Sequence, residues 1–381
     1  MVFKMNLFAE ALKLARLEKG LSFEKAAELT GLSSSFICRV ENGNRIPNRN
    51  SVFKLANLNK ENHLYFLNKL LLLNEKKYRP ELPPTEQGFK VCFELITELK
   101  EIGRTEDAKA LIEEAFKVFD KYTEFNTLMS NTELLKGNYD SAVSYSQKAL
   151  CFYRNLDEKN KSISGISESA IIANTANGYI GKAYKIKGQR DEFIVANLKT
   201  SFKNLIPSIR PMEKEIIVAS EEAIGLLEEA INLNDKYLRG YDLFARAYYI
   251  RSDLFTEDTS KWWKKCINAY DKVITLYNLP ANKFIEASIF MSVALVKSGK
   301  LDEGLRVLNL AGFQNTHNFL YYYVKSCIYS IAKILDKSYE NLLESIKINP
   351  EGKIKAKNEI DLLNLRKDKE YKDKFDDIIK E

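Results

Sequence analysis

The stretch LSFEKAAELTGLSSSFICRVENG, residues 21–43, reads as two short helices joined by a tight turn. Ser22 is placed to cap the first of them, and Glu24 suits a helix N-terminus although Lys25 holds the third helical position. Ala26 and Ala27 keep that helix thin where the next one crosses it. Gly31 permits the sharp turn between the two, Leu32 anchors the turn in a core, and Ser33 caps the second helix. Ile37 and Val40 stand three apart and face inward, and Gly43 stops the helix. The residues left for the outward face are Ser33, Ser34, Ser35, Phe36 and Arg39.

With its flanks, LKLARLEKG (12–20) and NRIPNRNSVFKLANLN (44–59), the stretch resembles the helix-turn-helix domains of phage Cro and repressor proteins, the XRE type. Arg16, Gly20, the two helices and Glu41–Asn42–Gly43 keep the whole spacing of that family. The resemblance implies a partly buried ion pair between Arg16 and Glu41. It also implies that the second of these helices enters the major groove of double-stranded DNA. Arg39 is then the candidate for a guanine edge, Ser34 and Ser35 for bases or phosphates, and Phe36 for a thymine methyl group. Asn42, Asn44, Arg45 and Arg49, at or beyond the helix end, are candidates for phosphates. Phe23 replaces a polar residue common in the family, and Cys38 replaces a small polar one.

The charge supports a polyanion-binding head. The chain carries +6 overall, yet residues 1–80 alone hold 14 Lys and Arg against 7 Asp and Glu, so the remaining residues are close to neutral. Hydrophobic residues make up 45% of the 381, with 8 prolines and 16 glycines, a composition that favours a globular helical protein. Five widely spaced cysteines (Cys38, Cys92, Cys151, Cys266, Cys327) and two histidines (His63, His317) show no metal-ligand spacing and read as reduced, buried thiols and packing residues. No phosphate-binding glycine loop or nucleophile motif is present, so neither enzyme activity nor a metal or cofactor is expected. The N-terminus reads as an amphipathic helix with charges throughout, and no run of apolar residues is long enough to span a bilayer. No secretory signal and no membrane span are therefore expected, and a cytoplasmic location is.

Beyond residue 88 the sequence alternates helix and short turn. EIGRTEDAKALIEEAFKVF, LLKGNYDSAVSYSQKALCFY and LVKSGKLDEGLRVLNLAGF align without gaps on Gly103, Gly137 and Gly299. A small residue follows each glycine at the same distance (Ala108, Ala142, Gly304), and an alanine follows that one (Ala115, Ala149, Ala311). Weaker copies occur at IGKAYKIKG (180–188) and LFARAYYIR (243–251). These segments resemble the tetratricopeptide repeat, two antiparallel helices held close by small residues at fixed points. DLFTEDTSKWWKK (253–265) departs from the repeat length and reads as a lengthened turn leading into a packed helix.

The expected fold is all-α. A helix-turn-helix domain spans 1–58, and a linker helix and proline-rich boundary span 59–87. A tetratricopeptide-like α-solenoid covers 88–350, and a capping helix 351–381. This joined architecture resembles the peptide-responsive RRNPP regulators, which implies a short peptide effector on the concave face of the repeats and a homodimer whose arrangement controls transcription, as in quorum sensing. The apolar helix at 60–77 is a candidate dimer contact or a packing surface between head and body. Repeat phase nominates Asn131, Leu134, Lys182, Lys185, Arg246 and Tyr249 for the peptide, with Asn174 and Asn177 on preceding turns. An asparagine can pair with both polar groups of an extended peptide, and a lysine or arginine can hold its carboxylate. A protein partner on the same repeats is the alternative.

Overall fold

The computed structural model describes residues 9, 12–17, 19–45, 51, 54–55, 58, 86–101, 105–163, 166–256, 259–276, 281–312 and 319–380. Arg49, Gly103, the apolar segment 60–77 and the prolines that follow it lie outside these residues. The chain divides into two compact units, 1–129 and 130–381.

The fold is all-α: a helix-turn-helix domain followed by a tetratricopeptide-like α-solenoid with a C-terminal cap. The head contains helix α1 (12–17), α2 (Phe23–Thr30) and α3 (Ser34–Glu41). Its core gathers Leu12, Ala15, Ala26, Ile37, Val40, Leu55 and Leu58, all buried. Two helices then follow as an adjacent pair, α4 (Glu86–Glu101) and α5 (Thr105–Phe119). Leu95, Ile96, Leu99, Ala108, Leu111, Ile112 and Ala115 recur at helical spacing and are buried.

Helix α6 (Thr123–Lys136) leads into the second unit, followed by α7 (Tyr139–Arg154), the short α8 (Glu158–Ile163), α9 (Glu168–Ala196) and α10 (Phe202–Leu233). Then come α11 (Leu238–Ser252), α12 (Ser260–Leu276), α13 (Ala281–Lys297), α14 (Leu301–Gly312), α15 (Phe319–Ile331) and α16 (Leu335–Ile348). From α9 to α16 each helix packs on its successor, and α9 also meets α11 and α13 meets α15. Neighbour contacts with alternate contacts at α9–α11 and α13–α15 are what stacking of helix pairs produces.

Small residues set the helix spacing. A Cβ at Gly304 of α14 would lie 2.8 Å from the Ser292 carbonyl of α13, so only glycine permits that approach. Buried serines act where alanine would also fit, and they add a hydrogen bond across the helix pair. Ser130 Oγ donates to the Ala142 carbonyl at 2.8 Å and Ser326 Oγ to the Ser338 carbonyl at 2.7 Å, both across twelve residues. Trp263 is buried on α12 and Trp262 half-buried, as a packed helix after a lengthened turn requires. The C-terminal cap is built in pieces: α17 (Glu351–Ala356), a 3-10 turn (Ile360–Leu362), α18 (Leu363–Lys367) and α19 (Tyr371–Lys380). Cys92, Cys266 and Cys327 are buried, Cys38 is half-buried, and Cys151 is exposed, a departure from the expected set of buried thiols.

Candidate nucleic-acid interface

Helix α2 begins at Ser22, whose Oγ accepts the Lys25 N–H at 3.2 Å. Glu24 in its first turn accepts from its own backbone N–H and from Ser22, which holds its carboxyl below the usual range. Gly31 ends the helix at φ +63°, a left-handed conformation, and its N–H closes on the Ala27 carbonyl. Two residues later Ser33 Oγ accepts the Phe36 N–H at 3.2 Å and starts α3. Both helices are therefore capped within a few residues of the turn, which fixes the direction in which α3 leaves it.

The far end of α3 is fixed by an ion pair. Arg16 donates from Nε to Glu41 Oε1 at 2.7 Å and from Nη2 to Oε2 at 2.9 Å, a bidentate fork. Its third nitrogen donates to the Leu21 carbonyl at 2.8 Å, and its guanidinium lies 4.0 Å from the centre of the Phe23 ring. Hydrogen bonding to Glu41 raises the Arg16 pKa further above its ordinary value. Phe23, where the family more often places a polar residue, thus serves as the platform for the buried arginine.

On α3, Ile37, Val40 and Glu41 point into the head. The opposite face carries Ser35, Arg39 and Asn42, all exposed, with Ser34 and Cys38 half-buried between them and Ser33 exposed at the cap. Asn42 Nδ2 donates to Cys38 Sγ at 3.3 Å, and Arg39 Nε donates to the Ser35 carbonyl at 3.3 Å, an exposed contact a base edge could replace. Phe36 departs from the expected outward face. It stands one residue from Ile37 and four from Val40, so its ring packs half-buried against the head core. Arg45 covers it, its guanidinium 4.7 Å from the ring centre. Asn44 and Arg45 are exposed beyond the helix end.

In the repeat unit the nominated residues divide. Tyr249 is buried, edge-on to Trp263 and Phe290, and belongs to the core; the aromatic ring needs that volume between helices. Arg246 is held by Asp242 at 3.1 Å and Glu286 at 2.6 Å, and Lys182 by Asp140 at 2.8 Å, so neither is open to a carboxylate without giving up a partner. Asn174, Asn177 and Lys185 share one face of α9. Thr175 and Gly178 take the side towards α7, where Thr175 Oγ1 donates to Ser146 Oγ at 2.9 Å, and Ala176 and Ala183 take the core. Asn174 is 3% exposed and its Oδ1 has no hydrogen-bond partner. Asn131 and Leu134 are half-buried on α6, and Lys185 is exposed.

Residues 7–58 match a helix-turn-helix domain family. A domain of that family points to DNA as the partner of the head. No curated protein matches the chain. Among solved structures, the chain is similar to one titled as the hetero-tetramer Cut9–Hcn1 of the APC/C, at 13% identity, 99% of this chain, 95% of that one and a TM-score of 0.23. A second is titled as the tetratricopeptide domain of P58(IPK), at 13% identity, 94% and 98% coverage and a TM-score of 0.23. At that score the helix arrangements do not superpose, and the repeat assignment rests on the helix pairing described above. Among the described residues, no helix is long and apolar enough to cross a membrane.

Proposed function

We propose that the protein is a sequence-specific DNA-binding transcriptional regulator of the XRE type. The observation that carries this reading is the build of α3: capped at one end, tied by a buried bidentate ion pair at the other, and open along Ser35, Arg39 and Asn42. A rigid helix with a polar outer face and an arginine fork standing out from it is what base-edge readout in a major groove requires. Ser33, Ser34 and Asn44 flank that face, and Arg45 with Arg49 supplies phosphate contacts. Mapping the DNA bound by the full chain across its own genome, followed by gel shifts on the enriched sequence and a scrambled control, tests the proposal. Equal affinity for both sequences would remove it.

The repeat unit is proposed to bind a short linear peptide along Asn131, Asn174, Asn177 and Lys185. The support is Asn174, a buried amide oxygen with no acceptor role filled, on the same helix face as a second asparagine and an exposed lysine. A homodimer would let one peptide-dependent rearrangement act on two heads at once. Titration of the pure chain with a random linear peptide library, read by affinity selection and with Asn174→Ala as control, separates a peptide ligand from a folded protein partner. Sedimentation with and without DNA tests the dimer.

A further inference from the structure

Two helices of the repeat unit are about twice the length of the rest. Helix α9 has 29 residues and α10 has 32, against 12 to 17 for α11 to α16. The N-terminal half of α9 and the C-terminal half of α10 pack as a repeat should, through Ala176, Ile180, Ala183, Ala219, Ala223 and Leu227. Their other halves, joined by the turn at 197–201, meet a different kind of surface.

That surface is ionic. Arg190 of α9 and Glu213 of α10 are wholly buried and pair at 3.0 Å. Arg190 also donates to the Asp253 carbonyl at 2.6 Å, and Glu213 accepts the backbone N–H groups of Phe255 at 2.8 Å and Thr256 at 3.0 Å. Lys187 of α9 reaches Asp253 at 2.9 Å. Lys297, at the end of α13, bridges Asp253 and Asp361, each at 2.7 Å. Asn358 of the cap donates to Glu192 at 3.2 Å, and Ile360 closes the edge against Ile194 and Ile209. The hairpin tip is therefore held to the loop after α11 and to the cap by charges and hydrogen bonds beside an apolar rim that also takes in Phe193, Phe202 and Leu363.

A seam of this chemistry opens at lower cost than an apolar one. Its donors and acceptors exchange partners with water, whereas separated apolar faces gain nothing in return. Both helices of the hairpin are also weakened at this level. Gly188 sits exposed inside α9, one of the least favourable residues for a helix interior. Pro207 and Pro211 lie inside α10, where each removes a backbone hydrogen bond to the residue four before it.

We propose that the tip of the α9–α10 hairpin, about residues 189–206, is a lever hinged at Gly188 and Pro207–Pro211 and latched shut by Arg190 on Glu213 and the Asp253 carbonyl and by Asn358 on Glu192. In the closed state it clamps the cap segment 358–363 onto α9. Opening leaves the cap in place on α15 and α16, because Leu362 and Leu365 stay in the main core. It frees Glu213 and the Asp253 carbonyl together, the two groups that Arg190 holds in the closed state. The lever does not depend on what the head binds.

Hydrogen exchange of the full chain tests it. Arg190→Lys and Asn358→Ala cut the latch without touching the apolar core. Exchange at 189–206 and 358–363 should quicken by about tenfold while α7 and α16 keep their rates. Gly188→Ala with Pro211→Ala stiffens the hinge, and the added Cβ at 188 meets nothing within 4 Å. In that variant exchange at 189–206 should slow. A uniform change across residues 130–380, or rates at 189–206 that ignore both pairs of substitutions, would overturn the lever. The stiffened variant decides the matter alone if the latch variants fail to fold.

Discussion

Arg16 in the head and Arg190 in the repeat unit are both buried against carboxylates, and they are held in opposite ways. Arg16 takes one partner in a bidentate fork and spends its remaining donor on a nearby carbonyl, five residues away. The pair closes a single loop between α1 and the end of α3. Arg190 shares Asp191, Glu213 and Asp253 with two lysines, and the cluster joins α9, α10, α13, a loop and the cap. A lone bidentate pair orients one helix. A shared network makes several elements depend on one another, so a single substitution there reaches further.

The largest effect should follow Glu213→Ala. It leaves Arg190 buried with a partner missing and frees two backbone N–H groups, a loss of about 3–5 kcal/mol by chemical denaturation. A loss under about 1 kcal/mol would mean the network contributes no more than surface pairs do. Arg16→Ala should cost about 3 kcal/mol, with the effect confined to the head. Its measurement is amide exchange across residues 12–41, and rapid exchange spreading through the repeat unit would break the contrast between the two arginines.

Acid sharpens the same comparison. Burial alone would raise the pKa of Asp253, but Lys187, Lys297 and Arg190 outweigh it and hold the carboxyl well below the usual range. Its stabilisation is present above the unfolded value near about 4 and is lost as pH falls towards the depressed folded value. Glu359 works the other way. Burial, then Asp361, raises its pKa, so its contribution is present in acid and lost as pH rises through the raised value. The repeat unit should therefore lose stability on going from about pH 5 to pH 3, and Asp253→Asn should flatten that limb of the melting curve. An unchanged slope in the variant would assign the acid sensitivity elsewhere.

The two regions also differ in how far they could be read from sequence. In the head, the caps and the turn act over a few residues: Ser22 on Lys25, Ser33 on Phe36, Gly31 at one turn. Such contacts follow from spacing, and the Arg16–Glu41 pair follows from a family pattern. The half-burial of Phe36 does not follow from spacing, because a helix of eight residues has a narrow boundary between faces, and its ring sits on that boundary under Arg45. In the repeats, Ala108, Ala142 and Gly304 are legible as small contact points, and all three are buried. The paired serines are not, although Ser130 with Ala142 and Ser326 with Ser338 keep one interval that could have marked the repeat phase. Arg190, Glu213, Asp253, Lys297 and Asp361 are spread over more than 160 residues with no period, so nothing local separates them from solvated charges. Tyr249 and Arg246 were nominated by phase alone, and phase does not show that a ring is filling a core or that a guanidinium already has carboxylates.

Within the head the comparison narrows to two exposed arginines. Arg39→Ala should cost about 1–3 kcal/mol of operator binding and relax preference at one base pair, because its fork lies at the middle of the exposed face of α3. Intact affinity and specificity in a folded variant would mean that another face of the head meets the bases.

Arg45→Ala should give the smallest change and a different kind of change. Its guanidinium is exposed past the end of α3 and rests on the Phe36 ring, an apolar support that leaves its hydrogens free for a phosphate. Losing it removes about one phosphate contact, so affinity for matched and scrambled DNA should fall together and the salt dependence should flatten by roughly one unit of slope. Phe36→Leu keeps the core filled and removes the ring beneath Arg45. If the arginine needs that platform, this variant should reproduce part of the flattened slope with the melting temperature of the head little changed. A loss of sequence preference instead, in either variant, would move Arg45 from the backbone to a base edge and shift the readout face towards the C-terminal end of the helix.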